Sequence, residues 1–356
     1  MKIDSFEIRA AKVPMREPHR TASVVVEICP VVTITVRTDE GVRGDGIVFG
    51  YNAITLKSIH ALAEALTPLL KGEVLDPIKN SAAISSKFKL LGLQGLVGMV
   101  LSGIDMALWD AHARALEKPL FALLGNEAKP VKPYGNVGYD GVKGSADGAE
   151  RCAKDGFLGV KAKIGYPSVE EDIEVIRAMR SAVGPDVALM VDYNQTLDLQ
   201  EAKRRILALK DEDLTWIEEP VYSHDFANYV TLQNETGSPL QAGENWWGPA
   251  DFRIAFDSGV KGMVMPDAQK CGGVTGWMAI SEMAETRNVE ISSHLWPEVS
   301  AQLLSVTPTA GWLEYADWFN PVVTEPLKVR NGYVDIDGVI GTGVRLDDEA
   351  LSAYAL

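Results

Sequence analysis

One pattern limits what this chain can fold into. From about Val131 to Pro326, short strand-like runs alternate with longer helical ones, and nearly every strand-like run ends in an ionisable residue. The runs are VKPYGNV, GVKAKIG, VALMVDYN, TWIEEP, PLQAGEN, GMVMPD, VEISSHL and GWLEY. Between them lie helical patterns such as SVEEDIEVIRAMRSAVG and GVTGWMAISEMAETRN. Eight strands alternating with helices predict a closed parallel α/β barrel of TIM type. A doubly wound open sheet would normally carry a glycine-rich fingerprint after its first strand, and none stands here.

The flanks read differently. Residues 1–125 begin with strand patterns, IDSFEIRAAKVP and VVTITVRTDEGVRGDGIVF, with DEG as a hairpin turn. Helical patterns follow, ITLKSIHALAEALTPLL and GIDMALWDAHARALEK, so this region is expected to be an α+β unit. Residues 126–326 hold the barrel, and 327–356, too short to fold alone, are expected to return to the first unit. A chain of 356 residues suits a barrel with such an addition.

A formal net charge of −15 argues against nucleic acid or an anionic membrane surface as the partner. It leaves an anionic small molecule open, because a metal ion and lysines can reverse the local field. The three cysteines, Cys29, Cys152 and Cys271, form no CxxC pair, so no disulfide framework is expected and a cytoplasmic setting fits. Charges interrupt the apolar stretches of MKIDSFEIRA, which does not read as a signal peptide, and no run approaches the roughly 18 apolar residues of a membrane span.

The strand ends carry, in order, Lys161 and Lys163, Asp192, Glu218, Glu244, Asp267, His294 and Glu314. In a parallel barrel these ends meet at one mouth. Asp192, Glu218 and Glu244 close three successive strands and make a hard-oxygen site suited to Mg²⁺, the alternative being salt-bridge partners for the lysines. Glu219, the next residue after Glu218, should face away and serve structure. Lys161 and Lys163 share one strand face, and two neighbouring ammonium groups near a cation are expected to lower the pKa of Lys163 toward that of a general base. Asp267 beside His294 can fix its tautomer and support an imidazolium. Together these groups suit removal of the proton next to a carboxylate, with Mg²⁺ and Lys161 on one carboxylate oxygen and Glu314, if protonated, donating to the other. Lys163 and His294 come from strands far apart, so they can address opposite faces of the carbon, which permits racemisation.

The stretch VKAKIGYP, then VDYNQ, WIEEP, GENW, MPDAQKCGGVTGW, SSHL and WLEY, with GIDMALWDA earlier, resembles the mandelate racemase branch of the enolase superfamily over nearly the whole chain. The resemblance implies a (β/α)7β barrel with an α+β capping domain, completed by the C-terminal segment, and an octamer. It implies Asp192, Glu218 and Glu244 as metal ligands, Lys163 and the His294–Asp267 pair as the two bases, and Lys161 and Glu314 at the substrate carboxylate. It also implies Asn194 near metal and substrate hydroxyl. The activity implied is racemisation of a 2-hydroxy acid. The alternative is dehydration of an acid sugar with the same bases.

Some substrate-facing positions depart from the family. In the segment between Pro14 and Pro30, His19 and Ser23 stand where the family has apolar residues, while Val26 stays apolar. Tyr51, Leu90 and Leu295 are expected to keep an apolar wall, and Asn136 replaces an expected serine. The pocket should therefore be more polar than one built for mandelate. Asp105, Asp110 and His112 sit on a helical pattern expected to be amphipathic and are read as structural. Gly272, Gly273 and Gly276 read as a tight turn, Cys271 as packing, and Trp246 as a residue able to approach the site.

Overall fold

A computed structural model describes residues 1–21, 25–125 and 127–356. Strands β1 (Ile3–Arg20), β2 (Val25–Thr38) and β3 (Arg43–Phe49) form an antiparallel sheet in that order. The β-branched run Val31–Val36 suits the buried middle of β2, and Thr38 Oγ1 closes the turn by accepting from Val42 N at 3.0 Å. The segment between Pro14 and Pro30 continues the β1–β2 ladder rather than leaving it. After a register shift, His19 pairs with Val26 and Arg20 with Val25. The hairpin reaches the barrel, where Tyr139 N donates to Arg20 O at 2.8 Å.

The helix Gly95–Ala115 packs between this sheet and the barrel. Its residues from Gly98 to Ala111 are all buried, so the expected amphipathic stripe is absent: both sides of the helix are covered. Close approach explains the small residues opposite it. A Cβ on Gly46 of β3 would lie 2.2 Å from Gly103 O. Asp105 and Asp110 tie the layers together. Asp105 accepts from Ser81 Oγ at 2.5 Å and from Thr275 N at 3.0 Å. Asp110 accepts from Asp45 N at 2.9 Å, Arg114 Nε at 2.7 Å and Thr342 N at 2.7 Å.

The barrel strands are β4 (Lys132–Val137), β5 (Gly159–Lys163), β6 (Ala188–Asp192), β7 (Leu214–Glu218), β8 (Leu240–Ala242), β9 (Met263–Val264), β10 (Glu290–Ile291) and β11 (Trp312–Tyr315). They are parallel, in the order β10-β9-β8-β7-β6-β5-β4-β11. Ser293 N to Trp312 O at 2.9 Å and Gly311 N to Ile291 O at 2.7 Å close the ring between β10 and β11. One helix follows each strand except the last: Gly141–Lys154, Val169–Val183, Leu199–Ala208, Phe226–Thr236, Gly248–Asp257, Gly273–Glu285 and Pro297–Val306. The architecture is therefore a (β/α)7β barrel with a separate antiparallel sheet. Tyr134, Met190 and Trp216 plug the barrel interior. Past the barrel, β12 (Lys328–Arg330) and β13 (Tyr333–Asp335) form a hairpin, and the chain then runs back to the first sheet, where Lys12 N donates to Tyr354 O at 3.0 Å.

Asp110 is buried and receives donors from the sheet, from its own helix and from the C-terminal segment, so truncating it strands several groups at once. Asp110→Ala is expected to cost on the order of 3 kcal/mol of stability, read as a lower urea midpoint with unchanged m-value. A midpoint within error of the parent would show that these contacts do not hold the layers.

Candidate active site

Strands β8, β9 and β10 are short because the backbone turns at the barrel mouth. Gly243 has φ +130°, where an added Cβ would sit 3.0 Å from Met265 N, and this turn delivers Glu244 beyond the end of β8. Asp267 and His294 likewise lie past β9 and β10, joined by an isolated parallel bridge. Of ten non-glycine residues with positive φ among the described residues, Tyr51, Asn194, Gln195, Glu219, Leu295 and Trp296 lie at or next to this mouth. Strain gathers where side chains are aimed for function.

Asp192, Glu218 and Glu244 are all buried, with one oxygen of each within 4.8 Å of the others. Each is oriented by a neighbour. Asn194 donates twice to Asp192, from N at 2.7 Å and from Nδ2 at 3.1 Å. Trp216 Nε1 donates to Glu218 Oε2 at 3.0 Å, and Asn245 Nδ2 to Glu244 Oε1 at 3.0 Å. Glu244 Oε2 is buried without a hydrogen bond, its 3.1 Å contact with His294 Nε2 falling outside hydrogen-bond geometry. Burial and then Asp192 push the Glu218 carboxyl well above the usual range. Three converging carboxylates, one with an unbonded oxygen, fit a hard divalent cation such as Mg²⁺. Glu219, also buried, stands behind them. It accepts from Asn245 Nδ2 at 2.7 Å, and Lys270 Nζ donates to Asn245 Oδ1 at 2.8 Å.

Lys161 Nζ lies 2.7 Å from Glu218 Oε1 and 3.0 Å from Glu314 Oε1. Lys163 contacts Asp192 Oδ2 directly. The expected lowering of the Lys163 pKa is reversed in this arrangement. Burial pulls it down and so does Lys161, but the touching Asp192, helped by Glu244 and Glu218, outweighs both and the net shift is upward. Glu314 is ionised in this arrangement. Burial would raise it, yet Lys161, His294 and Lys163 bring it down to about 2, so it is a carboxylate accepting from Leu295 N at 2.8 Å. His294 Nδ1 lies 2.7 Å from Asp267 Oδ2, while Nε2 faces Glu244 and Glu314. Burial lowers its pKa, but Glu244, Glu314 and Asp267 raise it more, which favours the imidazolium.

The remaining predicted residues divide. His19 is brought to the cluster, its ring 5.1 Å from that of Trp318. Burial, then Lys163, hold its pKa down to about 3. His19 and Asn136 also line a polar cavity of about 630 Å³ bounded by the hairpin, β4, β11 and β12. Asn136 Nδ2 donates to Tyr315 O at 3.3 Å, and Val26 stands opposite His19 in the ladder. Ser23 lies outside the described residues. Leu295 is buried and contributes its backbone N–H to Glu314. Leu90 is fully exposed and forms no wall, and Tyr51 donates its hydroxyl to Asp267 rather than serving only as apolar surface. Trp246 turns away, with Nε1 donating to Ser223 O at 2.7 Å. Asn245, Gln269, Lys270 and Trp296 were not singled out from the sequence. Only the adjacency of Asn245 to Glu244 and of Gln269 and Lys270 to Asp267 could have pointed to them.

Comparison with known proteins agrees with this geometry. Residues 4–125 match the family model described as mandelate racemase/muconate lactonizing enzyme, N-terminal domain, and residues 145–350 match enolase C-terminal domain-like. An enolase from Bradyrhizobium, crystallised with magnesium and mandelic acid, is 40% identical with a TM-score of 0.95, over 100% of this chain and 98% of that one. L-talarate/galactarate dehydratase of Salmonella typhimurium is 28% identical over 98% of this chain and 90% of its own. D-galactarolactone cycloisomerase of Agrobacterium fabrum is 29% identical over 100% of this chain and 99% of its own.

A cation held by three buried acids must stabilise the folded chain. Adding Mg²⁺ to metal-stripped protein is expected to raise its unfolding temperature, by about 2.7 kcal/mol of stabilisation at a hundredfold excess over Kd. Asp192→Asn and Glu218→Gln should lose most of that shift in a thermal scan. Variants that keep the full shift would place the ion elsewhere.

Proposed function

Because the chain belongs to the mandelate racemase/muconate lactonizing enzyme family of the enolase superfamily, we propose that it dehydrates an acid sugar by Mg²⁺-dependent removal of the proton next to the carboxylate. The observation that carries this reading is the convergence of Lys163 and His294 on one acidic cluster from separate parts of the barrel. Their strands, β5 and the segment after β10, are three apart around the ring one way and five the other. The two relatives matched over nearly their full lengths are named for galactarate and galactarolactone, which supports a polyhydroxy substrate over a simple aromatic one. The polar hairpin residue His19 supports it too.

Asp192, Glu218 and Glu244 would hold Mg²⁺, which supplies fixed positive charge to the substrate carboxylate and so makes the neighbouring proton removable. Lys161 sits between Glu218 and Glu314, placed to neutralise the same carboxylate. Glu314 begins ionised. An anionic substrate beside it adds like charge and competes for Lys161, which raises its affinity for a proton and lets it become a donor. Lys163 is the base. Were the charge of Asp192 committed to a bound cation, it would hold the ammonium less firmly, and repulsion from Lys161 would then draw the Lys163 pKa down. His294, held as an imidazolium, gives a proton to the departing hydroxyl. Water leaves, and the resulting enol becomes a 2-keto-3-deoxy acid.

Racemisation of a 2-hydroxy acid is a second reading, favoured by the same two bases and by the mandelic acid bound to the Bradyrhizobium relative. We carry a cytoplasmic homo-octamer as part of the proposal. The exposed run Leu90, Leu91 and Leu93 supports assembly with further copies.

Proton NMR in D₂O with Mg²⁺ and a set of aldonates, aldarates and aryl 2-hydroxy acids separates the readings. Loss of water with a new 2-keto-3-deoxy signal is the expected outcome, and Lys163→Ala should slow it by roughly 10²–10⁴-fold. Deuterium at C2 with inversion and no loss of water would move the assignment to racemisation. Silence with every acid would sink both.

A further inference from the structure

Asp267 is gripped from two layers of the molecule. From the barrel, Gln269 N and Trp296 Nε1 donate to Oδ1 at 2.7 and 2.9 Å, and His294 Nδ1 lies 2.7 Å from Oδ2. From the antiparallel sheet, Tyr51 donates its hydroxyl to the same Oδ2 at 3.2 Å. Tyr51 follows β3 and is itself fixed. Its φ is +56°, its ring lies 4.5 Å from that of Phe49, and the Lys270 ammonium sits 4.6 Å from its centroid. Phe49 is clamped to Gln269 through both backbone groups. Its N–H donates to Gln269 Oε1 at 2.7 Å, and Gln269 Nε2 donates to its carbonyl at 3.2 Å. The end of β3 thus reaches Asp267 twice, directly through Tyr51 and indirectly through Gln269.

We propose that Tyr51 is a positioning residue through which the docked antiparallel sheet sets the His294–Asp267 pair, and so serves one of the two catalytic groups and not the other. This rests on the proposed roles of Lys163 and His294. Both oxygens of the Asp267 carboxylate are then saturated by donors, which fixes its rotation and with it the imidazole plane. A phenol and an imidazole on one oxygen share its charge, so Asp267 stays a firm acceptor without drawing the ring away from the substrate. Lys163 takes its setting from Asp192, which Asn194 orients, whereas the Tyr51 hydroxyl is spent on Asp267. A substituent that merely fills space would affect both groups alike. The half-exposed ring of Tyr51 persists in phenylalanine, so Tyr51→Phe removes the hydroxyl and little else.

The test uses the full chain with Mg²⁺ and an acid that the wild type turns over. Tyr51→Phe is expected to slow the His294-dependent step by roughly ten- to a hundredfold, with KM nearly unchanged. That step is loss of water in a dehydratase, or exchange of the epimer that His294 serves in a racemase. Exchange of the C2 proton by Lys163 should persist. Tyr51→Phe combined with His294→Asn should lose no more Lys163-dependent exchange than His294→Asn alone. An equal fall on both sides, or no fall, would overturn the inference. A wild type that exchanges no acid would count against the proposed function instead.

Discussion

Three carboxylates cannot sit within 4.8 Å of one another at the bottom of a buried mouth without compensation. Asp192, Glu218 and Glu244 are joined there by Glu219, Asp267 and Glu314, so six acids face four cationic groups, Lys161, Lys163, Lys270 and His294. With all of them ionised the acids exceed the cations by two charges, an excess that one divalent ion would offset. Burial, and then repulsion within the set, push Glu218 and Glu219 upward, while the same acids outweigh burial and raise Lys161, Lys163 and His294. The chemistry assigned to the site depends on how that balance moves when a cation and an anionic acid enter together.

The balance holds only if the charged groups cannot rearrange. The barrel meets that need by placing them on separate strand ends, each with its own hydrogen-bond partner. Trp216 fixes Glu218, Asn194 fixes Asp192, and Asn245 links Glu244 to Glu219. The turns that aim these residues run through left-handed backbone at Asn194, Glu219 and Leu295. Such strain survives because close-packed walls such as Trp246 on Phe252 leave little room to relax.

Much of this was legible in the sequence because barrel periodicity and polar strand ends are local signals. The eight strand runs, the acidic triad and the Asp267–His294 pairing all follow from spacing alone. What escaped depended on contacts across layers. The strand patterns in the sequence stop near Pro14, while the β1–β2 ladder runs on through His19 opposite Val26. Tyr51 was read as apolar wall because nothing in its neighbourhood in sequence announces a hydrogen bond to a residue 216 positions away. The ionisation of Lys163 and Glu314 before cation and substrate enter is hidden from the sequence for a related reason. The sign of each shift is set by which counter-charge touches the group, and spacing along a strand brings groups near without saying which pair makes contact.

This separation between strand ends and hairpin also bears on where specificity resides. The groups proposed to remove the proton sit on rigid strand ends, whereas His19 comes from the β1–β2 hairpin. A pKa of about 3 makes its imidazole neutral through the physiological range, because burial disfavours the charge and protonation would set a third cation beside Lys163 and Lys161. A ring that weakly basic is a poor competitor for the α-proton, yet it still offers one donor and one acceptor to a hydroxyl. In the proposed function His19 would read the polarity of the substrate beyond the reacting carbon, while the barrel groups proposed to remove the proton need no change when the hairpin does. On that proposal, proton abstraction would stay constant while a segment that approaches the barrel from outside it acts on the fate of the intermediate.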